Sequence, residues 1–226
     1  MATGTRMATP TDLDTAGLGL LAAWLSPAYP VGAFAYSHGL EAAIAEGTVS
    51  DAVSVQHWLE TLLRQGAGRN DAILLAEAWR APGDPDLAAL SFVLQPAAER
   101  RLESRMQGAA FAAVTATAFP ADHLDDEALP YPLAVGHAAA AHGLPLLPVL
   151  ALFLQGFAAN LVSAAVRLVP LGQTAGQEVL AALLPVCRAV AEEAASAGRD
   201  DLGGFTLLGD IASMRHETQY SRLFRS

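Results

Sequence analysis

Apolar positions recur along this chain at helical spacing. Val55, Trp58, Leu59, Leu62 and Leu63 fall three and four residues apart, which places them on one side of a helix. Ser50 stands before the run, where it can cap the helix, and Gly66 stands after it, where the helix can end. The same spacing predicts a first helix from Asp12 or Asp14 to Trp24. A short one is expected over 36–46, stopped by Gly47, and another from Asn70 or Asp71 to Trp79. Further helices are expected from Asp86, over 97–119, 132–141, 144–168 and 174–196, and last over 205–215. Pro185 predicts a kink in the segment that contains it. Breakers divide these runs: two prolines and a glycine in 26–32, the turn at 82–85, and an acidic connector over 120–130 with Asp122, Asp125, Asp126 and Glu127. No segment alternates with period two between turn signals. The expectation is an all-α fold, a single-domain bundle of about eight to ten helices over 13–216. Small polar residues 1–12 are expected to be a disordered leading tail, and 217–226 a polar trailing one.

Composition narrows what such a bundle can do. Of 226 residues, 53% are apolar and only 16% charged, more apolar surface than one core consumes, so a broad protein interface is expected. The net charge is −10, and all 13 basic residues are Arg. Nucleic-acid binding needs a basic face and is excluded. A phosphate loop and a Schiff-base site each need Lys, so neither belongs to this chain. The lone Cys187 permits no internal disulfide and no multi-cysteine zinc site, which suits a reducing, cytoplasmic setting. The run over 144–169 has the length of a membrane span. It also carries Gln155, Asn160, Ser163 and Arg167, with Pro145 and Pro148 near its start, so a core or interface helix is expected and no membrane. The apolar stretch 16–25 lies behind Asp12 and Asp14, which a secretory leader would not carry.

Catalytic patterns are hard to find. His216-Glu217 opens like a zinc-protease helix, but Tyr220 stands where the second His ligand belongs. His38, His57, His123, His137, His142 and His216 are scattered, and His137 and His142 are five apart, off a common helical face. They read as surface or hydrogen-bonded core histidines. The alternative is a metal site whose His ligands meet across a dimer axis. No Ser sits in a G-x-S-x-G elbow. Glu99, Arg100, Arg101, Glu103 and Arg105 read as a solvated or partner-facing stripe. The expectation is therefore a protein that is not an enzyme, with no cofactor and no metal ligands of its own.

Three segments combine rigid turns with polar and Arg/aromatic residues of the kind enriched at interfaces. Residues 26–41 read Ser-Pro-Ala-Tyr-Pro-Val-Gly-Ala-Phe-Ala-Tyr-Ser-His-Gly-Leu-Glu. Residues 160–177 read Asn-Leu-Val-Ser-Ala-Ala-Val-Arg-Leu-Val-Pro-Leu-Gly-Gln-Thr-Ala-Gly-Gln. Residues 216–226 read His-Glu-Thr-Gln-Tyr-Ser-Arg-Leu-Phe-Arg-Ser. In this order they resemble the N-terminal, central and C-terminal signatures of the urease accessory protein UreF family. Residues 131–136 and 99–107 are weaker matches, and Tyr29 is a small departure. The resemblance implies an all-α, non-enzymatic homodimer. It implies partners: a UreD (UreH)-type accessory protein, the GTPase UreG, and apo-urease, into which nickel is delivered; the alternative is a nickel-carrying metallochaperone that binds the metal itself through His residues across a dimer. Carried over position by position, the partner-binding candidates are Pro30, Gly32, Ser37 and Glu41 of the first segment, with Gly39 a further matched position. In the second they are Arg167, Pro170, Leu171, Gly172, Gln173 and Gln177. In the tail they are His216, Glu217, Tyr220, Arg222, Leu223, Phe224, Arg225 and Ser226. The resemblance gives the tail to the UreD-type partner, with ordering on binding. The 170–173 loop is a weaker candidate for partner contacts or a metal route, and can equally be a turn that ends a helix.

Overall fold

A computed structural model describes residues 13–122, 124 and 129–226. The expected disordered segment 1–12, His123, Asp125, Asp126 and Glu127 lie outside the described residues. Ten α-helices are present among the described residues, and no strand. They are α1 (Thr15–Trp24), α2 (Leu40–Ala45), α3 (Ala52–Gln65), α4 (Ala67–Arg80), α5 (Pro85–Val93), α6 (Ala98–Ala118), α7 (Tyr131–Ala141), α8 (Leu146–Leu168), α9 (Gln173–Ala194) and α10 (Leu207–His216).

Local chemistry sets the boundaries. Asp14 starts α1 by accepting from Gly17 N at 2.7 Å. Asp51, rather than Ser50, caps α3 in a reciprocal box with Ser54. Asp84 caps α5, with Pro85 in its first turn, one step before the expected Asp86. Helix α4 begins earlier than expected. Asn70 and Asp71 are buried inside it rather than capping it, and the Asn70 amide instead ties down Gly204 through its O (2.7 Å) and N (3.1 Å). Helix α2 is shorter than expected, because His38 (φ 55°) and Gly39 (φ 76°) both turn left-handed just before it. A Cβ on Gly39 would lie 2.6 Å from Ser213 N, so α10 crosses α2 where there is no side chain. Pro185 lies within α9, which continues on both sides of it.

The core is built round α4, whose residues Ala72–Ala76 are fully buried. It packs against α3, α7, α8 and α9. Its crossing with α7 is close: a Cβ on Gly136 would stand 2.4 Å from Leu75 O. Helix α8 meets the length and hydropathy of a membrane span. Its buried stripe, including Leu150, Leu154, Ala158, Leu161 and Ala165, packs on α9, α4 and α3, which makes it a core helix of this domain. An aromatic cluster closes one end. Trp24 meets Phe111 edge-to-face at 5.6 Å, and the Tyr29 hydroxyl bonds Thr115 Oγ1 at 2.7 Å. This pins the 26–32 loop onto α6.

Candidate functional site

The three singled-out segments converge, and they do so on the chain's own tail. The loop 33–37 lies along the C-terminal part of α8. Asn160 Nδ2 donates to Ala33 O at 2.8 Å, and Arg167 Nη2 donates to Phe34 O at 3.1 Å. The tail lies beside this loop. Arg225 N donates to Ala35 O at 2.8 Å and Ser37 N to Ser226 O at 2.7 Å, and the Ser37 hydroxyl also donates to Ser226 O. The Arg167 guanidinium sits 4.5 Å above the Phe224 ring, a cation–π contact joining the central segment to the tail.

Three carboxylates hold the segment beyond α10. Glu41, at the start of α2 and buried, accepts from Leu223 N at 2.7 Å and Phe224 N at 2.9 Å. Glu99, in the first turn of α6, accepts from Arg222 Nη1 and lies 2.7 Å from His216 Nδ1. The other ring nitrogen of His216 lies 3.1 Å from Glu41 Oε2, and the residue is fully buried. Glu103, one turn further along α6, accepts from Ser226 Oγ at 2.9 Å and is paired with Arg100. Glu217 turns the other way. Helix α6 has no side-chain cap of its own, and the Glu217 carboxylate supplies one by accepting from Ala98 N at 2.6 Å.

Beneath the tail is a buried charged group that sequence reasoning missed. His38 Nε2 lies 3.0 Å from Glu103 and 2.8 Å from Arg100 Nη1, and Asp71 Oδ2 is 4.0 Å from the same guanidinium. Burial lowers the proton affinity of His38, and Arg100 lowers it further. Burial pushes Asp71 up to about 6, with Arg100 opposing and Glu103 adding. Burial alone would raise Glu103, but Arg100 and His38 together hold it well below the usual carboxylate range. These residues line a cavity of about 300 Å³ together with Tyr29, Tyr131 and Phe157. The expected solvated stripe on α6 is thus half wrong. Arg101 and Arg105 are exposed, while Arg100 and Glu103 are buried. The available signal was the spacing of Arg100, Glu103, Gln107 and Phe111, which shares one helical face with the core.

Of the candidates, Ser37, Glu41, Arg167, His216, Arg222, Leu223, Phe224, Arg225 and Ser226 are brought together by these contacts. Glu41, Ser37, His216, Phe224 and Ser226 are buried within the chain, so their contacts are to their own fold. Tyr220 and Leu223 are exposed at the tail's surface. Pro30, Gly32, Pro170, Leu171, Gly172, Gln173 and Gln177 lie apart from the carboxylates. Pro30, Pro170, Gly172, Gln173 and Gln177 are exposed and Leu171 packs on the core. Gly32 adopts φ 74° before a short 3₁₀ turn, a conformation suited to Gly. Among the described residues, no three His, Cys, Asp or Glu side chains are grouped to hold a metal.

Fold and site together define an all-α, single-domain protein in which a buried carboxylate–imidazole cluster fastens the tail across two helix starts. Residues 49–184 match the UreF family model. The chain is 56% identical over 212 residues to the urease accessory protein UreF of Cereibacter sphaeroides (strain ATCC 17029 / ATH 2.4.9), covering 94% of this chain and 100% of that protein. It is 48% identical over 225 residues to the urease accessory protein UreF of Ruegeria pomeroyi, covering 97% and 100%. The same protein of Rhodopseudomonas palustris (strain BisB5) is 48% identical over 225 residues, covering 94% and 93%. The chain belongs to the UreF family of urease accessory proteins.

Proposed function

We propose that this protein is a cytoplasmic co-chaperone of urease maturation. It works as a homodimer, bridging a UreD/UreH-type protein and the GTPase UreG and assisting nickel insertion into apo-urease. Membership of the UreF family supports the setting. One observation supports the docking surface. Six of the fourteen exposed large apolar side chains among the described residues fall in 205–223: Phe205, Leu207, Leu208, Met214, Tyr220 and Leu223. Phe205 stands just before α10, Leu207, Leu208 and Met214 lie on it, and Tyr220 and Leu223 lie on the tail beyond it. Such a concentration of uncovered apolar groups on ordered backbone favours a protein partner. Tyr220 and Leu223 are the anchors. Arg222 and Arg225 flank them in the chain as polar contacts, the exposed 170–173 loop is a separate and weaker candidate contact, and Glu41, His216, Ser37 and Ser226 act by positioning the anchors.

Co-expression with the urease accessory proteins, followed by pull-down, tests this. The full chain is expected to retain the UreD-type protein and UreG and to raise urease activation. A chain lacking residues 223–226 is expected to lose the UreD-type protein. Unchanged retention by the shortened chain would sink the tail assignment.

A further inference from the structure

We propose that the cavity beneath the tail is a binding site for a small organic cation, a compact molecule whose positively charged N–H groups bond Asp71 while aromatic rings enclose its body. Two polar side chains on the cavity wall are unpartnered. Asp71 and His38 are each more than nine-tenths buried and both line the cavity. Among the described residues, neither Asp71 Oδ1 nor His38 Nδ1 has a hydrogen-bond partner. Buried polar atoms are satisfied as a rule, and each exception needs a cause. Unpartnered atoms on the wall of a cavity are the ones a ligand can reach.

Charge selects the kind of ligand. Arg100 is the one permanent cation among the described residues lining the cavity, and it faces two carboxylates. Glu103 takes it in a direct ion pair and is further satisfied by Gln107 and Ser226. Asp71 is left 4.0 Å from the guanidinium, beyond hydrogen-bond reach, with the neutral Gln95 amide as its other donor. Burial, with the Arg100 charge, keeps His38 neutral, so the imidazole does not balance Asp71 either. Burial pushes Asp71 up only to about 6, so near pH 7 it is mostly ionised and the cavity carries one negative charge in excess. A bound cation balances that charge, and its N–H gives Asp71 Oδ1 the missing partner. A metal ion suits the site poorly, because among the described residues no three His, Cys, Asp or Glu side chains are grouped to hold one. The remaining wall suits an organic cation. Tyr131 and Phe153 pack with ring centroids 5.6 Å apart, and Phe157 stands edge-on to the His38 ring at 4.8 Å. With Tyr29 they give the cavity aromatic sides, which attract cations strongly where water is excluded. Its volume of about 300 Å³ is at the small end of ligand pockets, and Pro27, Phe34 and Ser163 of its lining are exposed, opening it between the 26–34 loop and α8.

This site does not depend on the docking role proposed above, so the test uses the full chain without any partner. Benzamidine is the probe, a positive amidinium with N–H donors on a flat ring. Benzamide is its uncharged counterpart of nearly the same shape. Nitrogen-15 NMR titration of the backbone amides reads both affinity and location. Benzamidine is expected to shift the amides of His38, Asp71 and Tyr131, and to bind about tenfold or more tighter than benzamide. Asp71→Asn keeps the shape and removes the charge, and relief of a buried carboxylate favours its fold. That variant is expected to bind the two probes alike. Benzamidine that leaves these amides unmoved would overturn the proposal. So would equal affinity of the parent chain for both probes, or an undiminished preference for benzamidine in Asp71→Asn.

Discussion

Glu41 is the residue on which the tail most depends, since one carboxylate accepts two main-chain amides and faces a buried imidazole. Glu41→Gln removes the charge and one of the two accepting oxygens. With bonds to charged groups each contributing about 1.5–3 kcal/mol, stability in urea is expected to fall by about 2 kcal/mol. Amide protection at Leu223 and Phe224 should fall with it. Asp71 shows the opposite behaviour. Its proton affinity is raised to about 6 by burial, so the fold favours the neutral acid. Stability from that preference is present below the ordinary Asp range and is lost as pH rises to about 6. Asp71→Asn keeps the shape without the charge, so it should be the more stable chain above pH 6, by up to about 3 kcal/mol. Urea unfolding at stepped pH should show the gain shrinking towards pH 4; a constant difference would contradict it. The fastening residues themselves were partly legible. Ser37, Glu41, Arg167 and the tail stood out by resemblance, but Glu99 and Glu103 fell only in a weaker match, and acids among arginines on an Ala-rich helix read as a solvated or partner-facing stripe. Their burial depends on which helix covers them, and sequence spacing carries that only weakly.

Among the elements, α6 connects the site to the core. One face holds Phe111 in the aromatic cluster, and the start of the helix receives Glu217, Arg222 and Ser226 from the tail. Its first turn lacks a cap from its own side chains, so Glu217→Ala should lower stability by about 1 kcal/mol, the usual effect of losing an N-cap. Thermal unfolding of the variant checks this. The α4–α7 crossing is fixed by backbone contact at Gly136, where an added Cβ would lie 2.4 Å from Leu75 O. Gly136→Ala should force the helices apart and destabilise by about 1–3 kcal/mol, as overpacked cores do. An unchanged urea midpoint would show that the crossing adjusts freely. Helix existence was legible nearly everywhere from periodicity and breakers. The ends that shifted did so for tertiary reasons: Asn70 is drawn inward by Gly204, and 36–39 are held extended or left-handed by the tail and α10.

For the molecule as a whole, the all-α class and single domain came from the period of the apolar positions, and 144–168, read as a core or interface helix, packs one face against α9, α4 and α3. The pattern could not carry convergence. Residues 37, 41, 99, 167 and 216–226 are distant in sequence, and only the packing of α2, α6, α8 and α10 brings them to one place. That convergence turns a polar end with little apolar content into ordered backbone, with Tyr220 and Leu223 facing outward. The UreF family membership gives this surface its context, and the exposed side chains separate docking from folding, because replacing them leaves the fastening contacts intact. The most direct measurement is calorimetric titration of a purified UreD-type protein into the parent chain and into a Tyr220→Ala/Leu223→Ala variant. Affinity is expected to fall by about tenfold or more, in the range of interface anchors, with the unfolding curve of the free variant unchanged. Equal affinity for both chains would contradict the assignment of this surface to the partner.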